Sequence, residues 1–173
     1  MKVVETDRLV LRWLDVDDAA FILELLNDPS FIRFIGDKGV RDLEAARNYI
    51  LNGPVASYKQ FGFGLYATEL KESRLPIGIC GILKRETLPH PDIGFAFLPA
   101  YWNKGYAYEG SAAVLEHARQ HLGIDRVLAI TTPDNEASAK LLVKLGLRFD
   151  RLIKLSPDAD DVKLFTVEIE AEL

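Results

Sequence analysis

The chain has 173 residues, 49% apolar and 27% charged, with a formal net charge of −5. This is an ordinary globular composition, long enough to bury a core without staples. No apolar run approaches the length of a membrane span, and the Met1–Asp7 start lacks a signal-peptide apolar region. The acidic balance argues against nucleic acid, which needs a concentrated basic face. It fits a cationic substrate somewhat better, although ordinary solubility explains it as well. The single cysteine, Cys80, excludes an intramolecular disulfide framework and a zinc cluster built from several thiolates. A cytoplasmic protein that uses neither nucleic acid nor membrane as a partner is expected.

Arg8 to Leu14 reads as a first strand. Asp15 to Asp18 offers acidic caps for a helix through Asn27, with Ala19, Ile22, Leu23 and Leu26 at helical spacing. A loop with Asp28-Pro29 leads to a short apolar segment, Phe31 to Ile35. Asp42 to Leu51 reads as a second helix, ended by Asn52-Gly53-Pro54. Three strands follow, Phe63 to Leu70, Pro76 to Lys84 (interrupted by Gly78 and Gly81) and Asp92 to Leu98, with hairpin-like spacing that predicts antiparallel pairing.

Gly105 to Leu122 reads as a long helix with Val114, Leu115, Ala118 and Leu122 as its apolar stripe, and Gly123 ends it. Arg126 to Thr131 is a strand, and Asn135 to Leu145 is a helix stopped by Gly146. Arg148 to Leu155 and Val162 to Glu170 are closing strands. Alternating strands and helices without repeats or long linkers predict one domain over residues 1–173, a mixed α/β layer fold.

Chemistry concentrates between Asp92 and Glu109. A strand closes at Pro99, and a short loop with Gly105 leads straight into a helix. That order suits a phosphate, because the free N–H groups of the first helical turn and the helix dipole both attract an anion. Gly105 permits close backbone approach, Ala107 leaves room, and Lys104 adds a charge. A tight strand-to-helix connection with no ligand accounts for the spacing equally well. The ATP-type Gly-x-x-x-x-Gly-Lys-Ser/Thr loop is absent. Gly62 to Ala67 matches a dinucleotide string but sits at the start of a strand, so it is set aside.

Tyr101-Trp102-Asn103-Lys104-Gly105-Tyr106-Ala107-Tyr108-Glu109 resembles the acetyl-CoA pyrophosphate loop of the GNAT superfamily of N-acetyltransferases. It is closest to the Rim-type branch, which includes enzymes that acetylate N-termini of ribosomal proteins. The Thr131 to Phe149 block resembles the branch's Asn-x-x-Ser … Lys-Leu-Gly-Phe segment, with Asn135, Ser138, Lys144 and Gly146 in place. Thr6 to Arg12 and the Asn27-Asp28-Pro29 … Phe34-Ile35-Gly36 segment are similar too, so the resemblance spans nearly the whole chain. It implies an α/β (α+β) fold with a mixed, mostly antiparallel central sheet of about seven strands flanked by about four helices. It also implies acetyl-CoA as co-substrate. Trp102 occupies a position where the superfamily often has Gln or Arg; Rim-type members commonly carry Trp there. Many superfamily members have a Tyr general acid on the late helix, and the matching position here is Leu142.

Amine attack on a thioester needs a base, a held acyl carbon, donors for the developing oxyanion and a proton for the leaving thiolate. The resemblance assigns the donors to a splayed strand, here Asp92 to Leu98, with Phe97 and Leu98 nearest the loop. It assigns the cofactor to Asn103, Lys104, Gly105, Tyr106, Ala107, Tyr108 and Asn135. Ser138 is the candidate acid, against the simpler role of a first-turn helix residue bonding nearby backbone. Asn135 also reads as an N-cap. Asp92 is the candidate base, against a solvated strand-end carboxylate. Glu109 suits the helix dipole. His117 and His121 stand at i, i+4 without a third ligand, so no metal is expected. Cys80 reads as a buried thiol, no Gly-x-Ser-x-Gly elbow marks a hydrolase, and the aromatics Phe31, Phe34, Tyr101 and Trp102 suit core packing or the amine site. The expected reaction moves acetyl from acetyl-CoA to a primary amine, on a small molecule or a protein N-terminus, in a monomer or homodimer. The alternative is a non-catalytic acyl-CoA-binding or sensor module on the same fold.

Overall fold

The computed structural model describes residues 1–169. One open sheet has eight strands, β1 (Lys2–Glu5), β2 (Leu9–Trp13), β3 (Leu65–Leu70), β4 (Pro76–Leu83), β5 (Asp92–Phe97), β6 (Arg126–Thr131), β7 (Arg148–Lys154) and β8 (Asp161–Glu168). Their order across the sheet is β1-β2-β3-β4-β5-β6-β8-β7. Every neighbouring pair is antiparallel except β5 and β6, which run parallel. The helices are α1 (Ala19–Leu26), α2 (Pro29–Phe34), α3 (Leu43–Ile50), α4 (Ala56–Phe61), α5 (Tyr106–His121) and α6 (Glu136–Lys144).

Each sheet face carries its own apolar core. On one, Leu14, Phe21, Ile22, Leu25, Ala46 and Ile50, from α1, α3 and the chain around them, pack on Ala67 and Ile79. On the other, Val114, Leu115 and Ala118 of α5 and Leu142 of α6 pack on Leu9, Ile77, Ile93, Phe97, Val127 and Phe165. Two covered faces explain why the central strands read as nearly continuous apolar runs. A buried ion network ties the α1 side to the sheet: Arg12 grips Asp18 through both terminal nitrogens at 2.9 and 2.8 Å and Glu69 through Nε at 3.0 Å.

Most elements lie where the sequence places them, and the antiparallel β3-β4-β5 meander is as expected. Three differences have physical causes. β1 was not read, because Lys2–Glu5 holds only Val3 and Val4 between charged ends. Phe31 to Ile35 falls mostly in α2, where the Asp28 carboxylate accepts from the Ser30 N–H at 3.0 Å and Pro29 opens the first turn. Asn52-Gly53-Pro54 does not end the second helix: α3 widens into a π turn over Leu51–Val55, which houses Pro54, and continues as α4 to Gly62. A proline lacks the N–H for the i→i−4 ladder, and a widened turn absorbs that loss. The sheet therefore has eight strands rather than about seven. The last strand ends at Glu168, and its expected end at Glu170 lies outside the described residues.

Gly81 is a point of close approach in an unbroken β4: a Cβ there would sit 2.0 Å from the Gly64 carbonyl oxygen.

Candidate active site

β5 and β6 share one register pair, Asp92 with Leu128, where the Leu128 N–H donates to the Pro91 carbonyl at 2.9 Å. Beyond it the strands part, leaving a wedge that opens toward Phe97 and Thr131. A strand turns its amides alternately to its two neighbours. The Leu98 N–H donates to the Ile77 carbonyl at 2.9 Å, toward β4 and away from the wedge. By alternation, the N–H groups of Phe95 and Phe97 face the opening. The expectation for Phe97 is thus compatible with the geometry. Leu98 cannot donate into the wedge, and Phe95 is the residue that sequence reasoning missed; backbone donors leave no side-chain signal.

At the open end Thr131 is only 8% exposed, and its Oγ1 has no hydrogen-bond partner among the described residues. Its side chain lies on the same face as Val127 and Ala129, the α5–α6 face. An orphaned buried hydroxyl beside an unpaired strand edge suits a polar ligand arm lying in the wedge.

After β5 the chain makes a 3₁₀ turn over Pro99–Tyr101 and reaches Gly105, the N-cap of α5. Asn103 and Gly105 have φ of +60° and +83°, left-handed conformations that curl the backbone into a concave cradle. The first helical bond runs from the Glu109 N–H to the Gly105 carbonyl at 3.0 Å. No side chain caps this end, so the amides of Tyr106, Ala107 and Tyr108 are open. The Trp102 indole donates to the Phe97 carbonyl at 2.8 Å, locking strand end to loop. The Lys144 ammonium lies 4.3 Å from the Tyr108 ring centroid, and that of Lys104 5.8 Å from Tyr101.

Arg8 completes the loop and was not singled out from sequence. Its guanidinium stacks 4.4 Å from the Tyr106 ring centroid, donates to the Lys104 carbonyl at 2.9 Å and pairs with Glu109 at 2.7 Å. Its signal was the Thr6-Asp7-Arg8 segment at the start of the family-like block. Glu109 also accepts from the Thr6 hydroxyl at 2.7 Å and the Arg8 N–H at 2.9 Å. Burial pushes the Glu109 carboxyl up, but the hydrogen bonds from Thr6 and Arg8 prevail and hold it below its ordinary value. Glu109 is therefore a clamp between the β1–β2 turn and α5.

Asn135 N-caps α6, its side-chain oxygen accepting from the Ser138 N–H at 3.2 Å, which leaves the amide nitrogen for other partners. Ser138 is half-buried in the first turn of α6, and no hydrogen bond is recorded for its hydroxyl among the described residues. Leu142, one turn further, is 1% exposed and part of the core.

Asp92 sits at the vertex of the wedge, 1% exposed. Its register partner Leu128 packs with Leu88 and Leu164, so it lies on the sheet face opposite α5 and α6. Arg85 Nε reaches both carboxylate oxygens at 3.1 Å. Burial raises the Asp92 pKa to about 6, with Arg85 opposing. The solvated-carboxylate alternative does not hold. The structure thus gathers the loop, Asn135 and Ser138 at one end and face of the wedge, and places Asp92 at its vertex on the other.

The remaining candidates find structural places. Cys80 is fully buried against Ser111 and its thiol is pushed up to about 12. His117 and His121 lie with ring centroids 5.1 Å apart on α5, and among the described residues no group of three or more His, Cys, Asp or Glu is placed to hold a metal. Among the described residues no helix is long and apolar enough to cross a membrane.

Residues 8–148 match the acetyltransferase (GNAT) domain family. The chain belongs to that family and is an acetyl-transferring enzyme. It is 27% identical over 154 residues to the Bacillus subtilis (strain 168) protein called uncharacterized N-acetyltransferase YoaA, covering 88% of this chain and 86% of that one. The GNAT-family acetyltransferase from Bacillus anthracis superposes with a TM-score of 0.80 at 23% identity, over 97% of this chain and 98% of the other. RimL, a ribosomal-protein alpha-N-acetyltransferase solved in complex with coenzyme A, superposes with a TM-score of 0.85 at 17% identity, over 99% and 100%.

Proposed function

We propose that the protein is an N-acetyltransferase that moves acetyl from acetyl-CoA to a primary amine by direct attack in a ternary complex. The observation that carries this reading is the wedge: one backbone pairing at Asp92, unpaired amides at Phe95 and Phe97, and an open anion cradle at its mouth. The amides of Tyr106, Ala107 and Tyr108, with Arg8 and Lys104, hold the pyrophosphate. The wedge takes the pantetheine arm, with Thr131 and Asn135 as polar partners, and the strand amides hold the acyl oxygen as it becomes an oxyanion.

The amine enters from the face of α1 and α3. Its nitrogen attacks the thioester carbon, the C–N bond forms and the C–S bond breaks. Asp92 receives the amine proton, directly or through water; a pKa of about 6 suits a base that works near neutrality. Ser138, on the opposite face, protonates the departing thiolate and takes a proton back from water, while Asp92 releases the amine proton to solvent. Because base and acid stand on opposite faces, the sheet itself separates the amine from the cofactor until they meet in the wedge. The acceptor is a small-molecule amine or a protein N-terminus; the RimL-like fold agrees with the Rim-type reading. The test is a panel of amines with acetyl-CoA, followed by free-thiol release. Binding of acetyl-CoA without turnover of any amine would make the chain a sensor of the same ligand.

A further inference from the structure

Among the described residues, the apolar cluster on the Asp92 face of β6, β8 and β7 is Leu88, Leu128 and Leu164, with no helical residue packed on it. The turn between β4 and β5 supplies Leu88 in place of a helix, and a cleft of about 460 Å³ lies beside it. Arg148 stands opposite Thr166, Thr166 opposite Leu128 and Leu128 opposite Asp92, so these side chains share one face of the sheet. Arg148, Thr166 and Leu128 all line the cleft. The α5–α6 layer and the anion cradle lie on the other face.

The lining is basic, in a chain whose net charge is −5. His90, Arg126, Arg148, Arg151 and Lys154 line the cleft with one carboxylate, that of Asp150. Arg126 pairs with Glu168, Arg151 with Asp150 at 2.8 Å and Lys154 with Asp161 at 3.2 Å, and every one of these side chains is more than a third exposed. Exposed pairs of this kind hold weakly and can exchange for a ligand. The Arg148 side chain makes no hydrogen bond or ion pair among the described residues. Charges on an edge strand also guard it against pairing with another chain, and β7 is an edge. That role covers Arg148 and Arg151. It does not cover Arg126 on β6, two strands further in, or His90 on the turn.

We propose that this cleft is a second ligand site, separate from the cofactor cradle, for a small carboxylate- or phosphate-bearing molecule with an apolar body. The anion takes the Arg148 guanidinium, with Arg126 beside it, and the body rests against Leu88, Leu128 and Leu164. The site does not depend on the transferase reading.

The test uses phenyl phosphate with phenol, and benzoate with benzamide, on protein saturated with coenzyme A so that the cradle is filled. Calorimetry should show at least one anion binding with a dissociation constant below about 5 mM, as expected for a ligand of about ten heavy atoms. Its neutral counterpart should bind about tenfold more weakly or worse; the pair that shows the preference identifies the anion. Arg148→Ala, at an exposed position, should weaken the anion about tenfold and leave coenzyme A binding intact. Amide shifts should move at Leu128, Arg148 and Thr166. Failure of coenzyme A to bind would refute the cofactor reading, and the Arg148→Ala comparison with the same amide shifts would still decide the cleft. Neither anion binding, equal binding of the neutral members, an affinity unchanged in Arg148→Ala, or shifts confined to Tyr106, Ala107 and Tyr108 would overturn the site and leave the charges as guards of the β7 edge.

Discussion

At Asp92, two opposed requirements meet in one carboxyl. Its folded pKa of about 6 lies above the ordinary 3.8, so the native state holds the proton more tightly than the unfolded chain. Stability attributable to this group is therefore full below about pH 4 and falls as pH rises to about 6. At pH 7 the buried charge costs roughly 3 kcal/mol. Asp92→Asn should then unfold at a higher temperature than the parent at pH 7.5, while kcat falls at least about 100-fold and the acidic limb of the kcat/KM profile near pH 6 disappears. A variant that loses stability, or keeps its acidic limb, shows that Asp92 is only an anchor for Arg85. Ser138 admits a cleaner separation, because its hydroxyl makes no hydrogen bond among the described residues. Ser138→Ala should lower kcat by about 10²–10⁴-fold with acetyl-CoA affinity nearly intact. A loss under about tenfold would mean that water protonates the thiolate, and a loss of affinity with kcat unchanged would mean that Ser138 only positions the arm.

The element proposed to bind the cofactor is the β5–loop–α5 unit, which the β1–β2 turn braces from outside. Arg8 holds the Lys104 carbonyl and stacks on Tyr106, while Glu109 grips Thr6 and Arg8. Arg8→Ala removes both a charge at the proposed phosphate site and this brace. It should raise the acetyl-CoA dissociation constant by about 10-fold or more, consistent with roughly 1.5–3 kcal/mol for hydrogen bonds to charged groups. The kcat at saturation should change little, since Arg8 engages the Lys104 carbonyl, Tyr106 and Glu109 rather than Asp92. A kcat loss equal to the affinity loss would place Arg8 in the chemistry instead. The loop was legible in the sequence because Gly105 must adopt a positive φ between a strand and a helix, and the flanking residues carry the family resemblance. Arg8 was not, because its partners lie about a hundred residues away and local spacing holds no record of such contacts. The α3–α4 junction misled for a related reason: Asn52-Gly53-Pro54 reads as a stop, yet Pro54 is buried in a π turn that local propensity does not anticipate. Asp92 was legible as a carboxylate on the central strand, but its burial and Arg85 partner emerged only from tertiary packing.

Across the whole molecule, β1 to β5 and β6 to β8 are sheet halves joined edge to edge by one backbone pairing, with the α5–α6 core bridging them from one face. On the proposed reading, a ligand arm laid in the wedge would contact both halves and supply the hydrogen bonds that the diverging strands forgo. Acetyl-CoA at about 100 times its dissociation constant should stabilise the fold by roughly 2.7 kcal/mol, a rise of about 5–10 °C in Tm for a chain of this size. Gly105→Val should abolish that rise: the position has φ of +83°, and an added Cβ would stand 3.2 Å from an Arg8 terminal nitrogen, inside the cradle. A full ligand-induced rise in Gly105→Val would remove the loop from the binding site. Amide exchange localises the effect. Saturating acetyl-CoA should slow exchange at Phe95 and Phe97, whose N–H groups face the wedge, and at Tyr106, Ala107 and Tyr108 in the cradle. The Leu98 amide, already bonded to the Ile77 carbonyl at 2.9 Å, should change little. Protection at Leu98 with none at Phe95 and Phe97 would mean that the arm lies elsewhere on the sheet.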